Sequence, residues 1–240
     1  MNNTKKLGIV GGVGPAATAH LFSRIVNLTQ AETDQDHLDI TILNRSAIPD
    51  RTAYILGKSD QSYVPAVAQA ALTLESLGCD VICMPCITGH AAFDECFADI
   101  SAHVLHMPDE TAQYLQSHGA HVVGVMATDG TGKAGVLQKS LEKQGLTPIF
   151  PDIIHQKKVM SLIYDYVKAG KKPDMQLFYD VAQYFKSTGC DSIMLGCTEL
   201  SLIEAPSTLY DMQIVDAMEV LASRCVVACG AEIRTSVDPK

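Results

Sequence analysis

The chain has no tryptophan and no long apolar run. Nowhere in its 240 residues does it reach the roughly 18 uninterrupted apolar residues that a membrane-spanning helix needs. The first apolar stretch is broken by Gly11, Gly12, Gly14 and Pro15, so it does not form the apolar core of a signal peptide. These absences argue against a membrane protein, and we expect the chain to reside in the cytoplasm.

Positive charge is also scarce. The sequence has 18 Lys and Arg residues against 27 Asp and Glu, which gives a formal net charge of -9. The basic residues are scattered and form no cluster that could bind a polyphosphate backbone. Nucleic acids and anionic membrane surfaces are therefore not expected as partners.

The remaining composition is that of a globular α/β protein. Apolar residues make up 47% of the chain and charged residues 19%, and both helix-type and strand-type runs occur. A chain of this length forms one large domain or two smaller ones of about 110 to 120 residues each.

Eight cysteines require an explanation, because a chain expected inside the cell does not keep structural disulfides. The spacing of Cys225 and Cys229 indicates the buried face of a helix, and Cys96 fits the same interpretation. Cys79, Cys83, Cys86 and His90 form a group that resembles half of a zinc site. No second pair of ligands follows at a usable spacing, so no metal is expected.

Two stretches of the chain resemble each other. LGCDVICMPCITGH begins at Leu77 and TGCDSIMLGCTEL begins at Thr188, and one offset of 111 residues aligns four pairs, including Cys86 with Cys197. A second match, at an offset of 116, pairs the glycine-containing runs KKLGIVGGVGP and HVVGVMATDGT, and a third, weaker match follows in the same order. Three ordered matches indicate an internal duplication.

Each copy alternates apolar strand-like runs with helical patterns, which predicts a parallel sheet flanked by helices in each half. The expected architecture is therefore two similar α/β domains related by a pseudo-two-fold axis. We place the first at 1–115, with the C-terminal helix 214–235 as a candidate addition, and the second at 116–213. Further expected elements are helices over 89–100 and 156–170 and a fourth strand over 103–107.

Cys86 and Cys197 each follow the carboxyl end of a predicted strand, where parallel sheets bind their ligands. We expect a helix start beside each thiol to lower its pKa. The pseudo-two-fold axis would bring the two thiols face to face across a cleft. Such a pair can remove a proton from one face of a carbon and return one to the other, which is racemisation or epimerisation. The alternative is that both cysteines are simply buried.

The run GVGPAA, beginning at Gly12, approximates a dinucleotide-binding fingerprint between a strand and a helix. The supporting acid is missing, because the second strand ends in Asn44 and Arg45. A nucleotide cofactor would also leave the duplicated cysteines unexplained, so no cofactor is expected.

Six motifs in order, GGVGP, NRSAIPDRT, PCITGH, ATDGT, IYDYVKAG and GCTEL, resemble the cofactor-independent aspartate/glutamate racemase family, above all its aspartate racemases. The resemblance covers the chain from about Leu7 to Val220. It implies an isomerase with two similar α/β domains, no pyridoxal phosphate, no metal and a homodimeric state. It also implies that Cys86 and Cys197 are the two bases, with Cys197 taking the proton from the L-enantiomer and Cys86 from the D-enantiomer.

The expected substrate is an acidic amino acid. Arg51 matches the family's ligand for the side-chain carboxylate, a role that suits the bidentate donors of arginine, and Lys168 matches its second cation. Spacing alone would make Lys168 an ordinary exposed lysine. The remaining candidates for substrate binding are Thr88, Thr128, Thr131, Thr198 and Asn44, and the supporting positions are His90, Glu199, Gly12 and Gly14.

The chain departs from the family at one position. Where the family has Cys-Asn-Thr, this sequence has Cys86-Ile87-Thr88, and losing an amide hydrogen bond costs about 1 to 3 kcal/mol. Two alternatives therefore stay open. One is a related enzyme with another substrate, of the maleate isomerase or hydantoin racemase type, and the other is a protein that binds amino acids without catalysis.

Overall fold

A computed structural model describes residues 4–235. Within that range the chain forms two α/β halves, each with its own sheet, and the expected fold class is confirmed. No helix in the described residues is long and apolar enough to cross a membrane.

The first sheet has the strand order β2-β1-β3-β4, and all its pairs are parallel. Its strands are β1 (Leu7–Gly11), β2 (Ile40–Asn44), β3 (Val81–Cys83) and β4 (His103–Val104). The helices of this half are α1 (Pro15–Leu28), α2 (Arg51–Ile55), α3 (Val64–Ser76), α4 (Phe93–Cys96) and α5 (Met107–Ser117).

The second sheet repeats this order as β6-β5-β7-β9 and adds one edge strand, β8, which runs antiparallel to β9. The strands are β5 (Val122–Met126), β6 (Thr147–Ile149), β7 (Ser192–Leu195), β8 (Thr208–Leu209) and β9 (Met212–Asp216). The helices are α6 (Asp129–Ala134), α7 (Val136–Lys143), α8 (Ile153–Ser161), α9 (Met175–Ser187) and α10 (Ala217–Ala228). The sequence did not predict β8, so the expectation of a purely parallel sheet was wrong at this edge.

The C-terminal helix is shorter than the predicted 214–235. Its first expected residues belong to β9, which pairs with β7, and Asp216 then caps α10 by accepting a hydrogen bond from the backbone of Met218 at 2.8 Å. The helix ends two residues before Gly230, whose φ of 82° is the left-handed conformation that commonly follows a helix. Because α10 packs against α1 and α5, we propose that it belongs to the first domain. The domain boundary at residue 116 stays a prediction.

Two elements of the first half also differ from expectation. The helix predicted over 89–100 is a 3-10 turn over Ile87–Ala92 followed by the single turn of α4. The strand predicted over 103–107 stops at Val104, because Pro108 in the first turn and the His106 side chain, which accepts a hydrogen bond from Asp109, begin α5 at Met107.

The helix predicted over 156–170 changes its pitch partway. It is an α-helix to Ser161 and a π-helix over Leu162–Val167. The backbone N–H of Lys168 accordingly bonds the carbonyl of Ile163, five residues earlier, at 2.9 Å. Such wide turns are frequent at functional sites, and this one contributes side chains to the cavity described next.

Candidate active site

Cys86 and Cys197 lie in equivalent places, just beyond the carboxyl ends of β3 and β7. Both thiols are buried, with 7% and 6% of their residues' surface exposed, and both line one cavity between the two halves. The duplication in the sequence predicted that Cys86 and Cys197 lie on one cleft, and both residues do line the same cavity. The cavity has a volume of about 20 Å³, room for about one water molecule.

Six other residues singled out from the sequence also line this cavity: Arg51, Thr88, Thr128, Lys168, Thr198 and Glu199. They come from both halves, so the cavity exists only because the two sheets present their carboxyl ends to each other.

Arg51 is a buried cation without an acidic side-chain partner. Its Nη1 donates to the carbonyls of Ile48 and Pro49, and its Nη2 donates to the carbonyl of Val13 at 2.9 Å. Its Nε is buried without a partner, and within residues 4–235 the guanidinium forms no salt bridge. Burial lowers the pKa of Arg51, but the interaction with Cys86 and the charges of Asp50 and Glu199 together outweigh burial and raise it.

Four threonine hydroxyls form a buried network at the junction of the halves. Thr88 lies 3.1 Å from Thr128 and 2.8 Å from Thr131, and Thr52 donates to Thr128 at 3.3 Å. Thr128 and Thr131 are 3.1 Å apart. Thr131 is not itself part of the cavity wall, but it contacts Thr88 and Thr128, which are.

Cys197 belongs to a second polar group. Its Sγ donates to Oε2 of Glu199 at 3.0 Å, and Oε1 of Glu199 forms a 3.0 Å ion pair with Nζ of Lys168. Thr198 donates to the same carboxylate at 3.4 Å. Glu199 had been singled out as a supporting residue for Cys197, but its ion pair with Lys168 and its contact with Thr198 were not predicted.

The predicted direction of the thiol pKa was wrong for Cys197. Burial and the neighbouring charge of Glu199 raise its pKa well above the ordinary value. The expected helix starts are also missing, because short 3-10 turns over Ile87–Ala92 and Leu200–Ile203 follow the two cysteines. A thiol beside a carboxylate is held in its protonated form.

His90 supports the backbone of Cys86 and does not contact its sulfur. Because the N–H of Met107 donates to Nε2 at 3.3 Å, Nδ1 carries the ring proton and donates to the Cys86 carbonyl at 2.8 Å. Burial lowers the pKa of His90 to about 3, so the ring is neutral. The imidazole thus fixes the Cys86 loop to the start of α5.

Gly12 and Gly14 shape the turn between β1 and α1, with φ of 84° and 132°. A Cβ on Gly12 would lie 2.3 Å from the Arg45 backbone, and one on Gly14 would lie 3.2 Å from Oε1 of Glu199. Both close approaches need glycine. Asn44 is different, because its exposed side chain at the end of β2 is not part of the cavity wall. The structure therefore does not bring Asn44 to the cavity with the other candidates, and its role as a substrate ligand stays a prediction.

Sequence reasoning missed three polar residues of the cavity, Asp50, Thr52 and Tyr164. The Tyr164 hydroxyl is hydrogen-bonded to Thr52 across the junction, and Nζ of Lys168 lies 5.1 Å from the centre of the Tyr164 ring. The signal for Thr52 was its place directly after Arg51. Tyr164 lies four residues before Lys168 within the quoted IYDYVKAG run.

The other six cysteines are buried and unpaired, and none lines the cavity. In the part of the chain that the structure describes, no group of His, Cys, Asp and Glu side chains has the arrangement of a metal site.

Two similar α/β halves with one loop cysteine each on a shared cavity define a class of two-domain enzymes. Residues 10–225 match the family described as Asp/Glu/Hydantoin racemase. The chain belongs to this family, whose racemases are isomerases.

Relatives cover nearly all of the chain. The aspartate racemase of Picrophilus torridus superposes with a TM-score of 0.85 at 31% identity, covering 95% of this chain and 96% of that one. The broad specificity amino-acid racemase RacX of Bacillus subtilis is 24% identical over 92% of this chain and 96% of its own. Glutamate racemase of Francisella tularensis, solved with D-glutamate, shares the fold at 18% identity and a TM-score of 0.65, over 99% of this chain and 86% of that one.

Proposed function

We propose that this chain is a cofactor-independent amino-acid racemase that inverts the α-carbon of aspartate or a close acidic relative. Cys86 and Cys197 act as the two bases. The observation that carries the acidic substrate is Arg51, a buried guanidinium with an unpartnered Nε on the cavity that both thiols share. A buried cation of this kind is stabilised by a bound carboxylate, which arginine holds with two parallel hydrogen bonds.

In the proposed reaction, one cysteine is a thiolate and the other a thiol. The thiolate removes the α-proton, and the electron pair spreads onto the α-carboxylate. The opposite thiol then gives its proton to the other face of the carbon. We assign stabilisation of the charged carboxylate to the hydroxyls of Thr88, Thr128 and Thr198, with Thr131 holding the first two.

Lys168 and Glu199 have linked parts in this proposal. Their 3.0 Å ion pair holds Glu199 beside Cys197, while the ammonium stays close enough to the cavity to attract an anionic substrate. An amino acid is larger than the cavity of about 20 Å³. The two halves must therefore separate to admit substrate and close around it, which would exclude water from the reaction.

Names of relatives support the same reaction class. The Picrophilus protein is called an aspartate racemase and the Bacillus protein a broad specificity amino-acid racemase. The homodimer implied by the resemblance and the expected cytoplasmic location stay predictions.

The test is isotope exchange in deuterium oxide. We expect L-aspartate to lose its optical rotation and gain α-deuterium, with L-glutamate tested alongside. Cys86→Ser and Cys197→Ser should each lower turnover by about 10²- to 10⁴-fold. Cys96→Ser is the matched control, because Cys96 is equally buried but lies outside the cavity.

Arg51→Lys tests the substrate class. Lysine keeps the charge but loses the planar pair of donors, so KM for the acidic amino acid should rise about tenfold to a hundredfold. Absence of exchange with every acidic amino acid would defeat the proposal, and an unchanged KM in Arg51→Lys would defeat the role of Arg51.

Ile87 favours a second candidate. Its apolar side chain lines the cavity beside Thr88, and together with Val13 it makes this part of the wall poor in donors. A related enzyme of the maleate isomerase or hydantoin racemase type would suit such a wall. Conversion of maleate to fumarate with a Cys86 adduct in the mass spectrum, without aspartate exchange, would favour this alternative.

A further inference from the structure

The two thiols of the cavity have opposite electrostatic neighbours. The Cys197 thiol donates its hydrogen to Glu199 at 3.0 Å, and burial together with this carboxylate raises its pKa well above the usual value. A thiolate at this position would lie against a carboxylate. Lys168 is already paired with that carboxylate at 3.0 Å and compensates it only in part.

The Cys86 sulfur lies instead against the Arg51 guanidinium, whose pKa its charge helps to raise. The Asp50 carboxylate lines the same cavity, where its Oδ1 accepts from the Ala53 backbone, and Cys86 also acts on the titratable side chains of Tyr63 and Cys96. Burial raises the pKa of both, that of Cys96 to about 12, so they are neutral near pH 7. A thiolate at Cys86 would therefore lie beside one cation, and no carboxylate among residues 4–235 bonds its sulfur.

The same asymmetry is visible in the duplicated sequence. The offset of 111 residues that aligns Cys86 with Cys197 also aligns Thr88 with Glu199. Two residues after its cysteine, one half carries a hydroxyl that bonds Thr128 and Thr131, and the other carries a carboxylate that bonds the cysteine itself. One position has thus diverged from neutral to charged within a repeated frame.

We propose that the unliganded enzyme stores its proton on Cys197 and its negative charge on Cys86, with Glu199 as the positioning residue that sets this polarity. This inference rests on the proposed racemase function. The resting enzyme can then take a proton only from the enantiomer whose α-hydrogen faces Cys86. By the family resemblance, that is the D-enantiomer.

The proton balance of one turnover follows. Cys86 gains the α-proton of the D-enantiomer, and Cys197 gives its own proton to the opposite face, so the L-enantiomer leaves with an unchanged number of protons. The enzyme is left with a Cys197 thiolate beside Glu199. One proton must return from Cys86 to Cys197, by way of water, before the next D-enantiomer can react.

The proposed difference between the two thiols predicts different kcat and KM values for the two enantiomers. Enantiomers have an equilibrium constant of one, so kcat/KM must be equal in the two directions. When the two protonation forms of the free enzyme exchange rapidly, the L-enantiomer binds only the minor form. Its apparent affinity is then reduced in proportion to the fraction of enzyme in that form. KM and kcat are therefore both expected to be lower for the D-enantiomer.

Alkylation tests the polarity without any substrate. The ligand-free protein is treated with limiting iodoacetamide, and modification of each cysteine is followed by peptide mass spectrometry. Because the thiolate is the nucleophile, Cys86 should react at least about tenfold faster than Cys197 near pH 7. A Cys197 that reacts as fast as Cys86 would overturn the inference.

The pH dependence separates protonation from access. Between about pH 6.5 and 9 the Cys197 rate should rise steeply, so the ratio of the Cys197 rate to the Cys86 rate should change several-fold. A constant ratio of the two rates would mean that access alone distinguishes the thiols, and would refute the proposal. This measurement needs only the native protein.

Glu199→Gln removes the charge and keeps the shape. Without the carboxylate, Lys168 is free to stabilise a Cys197 thiolate, so the Cys197 rate should rise at least about tenfold. Glu204→Gln is the matched control, since Glu204 is exposed and lies outside the cavity wall. A preserved rate ratio in folded Glu199→Gln would contradict the role of Glu199.

The outcomes also separate this inference from the proposed function. Absence of racemisation together with a fast Cys86 and a slow Cys197 would reject the function and keep the polarity. Racemisation together with equal alkylation rates would do the reverse.

Discussion

Replacing Gly12 by alanine tests whether the turn between β1 and α1 holds the site together. Gly12 has a φ of 84°, and a Cβ there would lie 2.3 Å from the carbonyl carbon and 2.4 Å from the nitrogen of Arg45. Ordinary contacts begin at 3.4 Å, so the backbones must separate by about 1 Å. That movement would break the 3.1 Å hydrogen bond from Arg45 N to the Gly11 carbonyl.

The magnitude has two parts. A side chain at a left-handed φ costs about 1 to 2 kcal/mol, and the lost buried hydrogen bond adds about 1 to 3 kcal/mol. Gly12→Ala should therefore lower the free energy of unfolding by about 2 to 5 kcal/mol. The control Gly119→Ala has a similar φ of 81° with nothing within 4 Å, so it should lose only the first part.

Urea unfolding followed by circular dichroism measures both variants. The two midpoints should differ by an amount that corresponds to about 1 to 3 kcal/mol. The same turn presents the Val13 carbonyl to Nη2 of Arg51 at 2.9 Å, so the folded variant should also bind its substrate more weakly. Equal destabilisation of the two variants would refute the steric reasoning.

Two further predictions concern buried side chains. Burial raises the pKa of Asp216 to about 6, so the folded state binds more protons than the unfolded state between about pH 4 and 6, and stability falls as pH rises through that window. Asp216→Asn keeps the hydrogen bonds from Ser201 and Met218. It should flatten the dependence of stability on pH and raise the free energy of unfolding at pH 7 by up to about 3 kcal/mol. Urea titrations at several pH values measure both effects, and an unchanged pH slope would contradict the prediction. Ile87→Asn restores the family amide at a buried position. It should lower the free energy of unfolding by about 1 to 3 kcal/mol and raise kcat/KM for aspartate about tenfold to a hundredfold. Steady-state kinetics that show no gain would mean that the site does not use an amide there.

The sequence was most informative where the duplication repeats a whole unit of structure. The shared frame around Cys86 and Cys197 predicted two equivalent parallel sheets and two thiols on one cavity, because the carboxyl ends of parallel strands meet at one edge. The extra strand β8 has no counterpart in the first half, so comparison of the copies could not reveal it. Asn44 lies outside the cavity wall, because it ends a strand whose last residue is exposed.

Local periodicity was a weaker guide beside the site. The stretch after Cys86 has a helical pattern, yet it forms a 3-10 turn, because the buried His90 ring bonds the Cys86 carbonyl and Gly89 packs closely on Met84. The π-helical turn before Lys168 is likewise invisible to a pattern of apolar residues. Both features depend on tertiary contacts that local sequence does not encode.

The internal duplication supplies two equivalent thiols, but a reaction that starts with one thiolate and one thiol needs their surroundings to differ. Here the difference comes from neighbours and not from the thiols: a guanidinium lies against Cys86, and a carboxylate accepts the hydrogen of Cys197. Glu199 also faces Gly14 of the first half, whose missing Cβ leaves room for Oε1. Gly14→Ala would press on that carboxylate from the opposite domain, so the polarity that we propose for the thiols would depend on how closely the two halves approach.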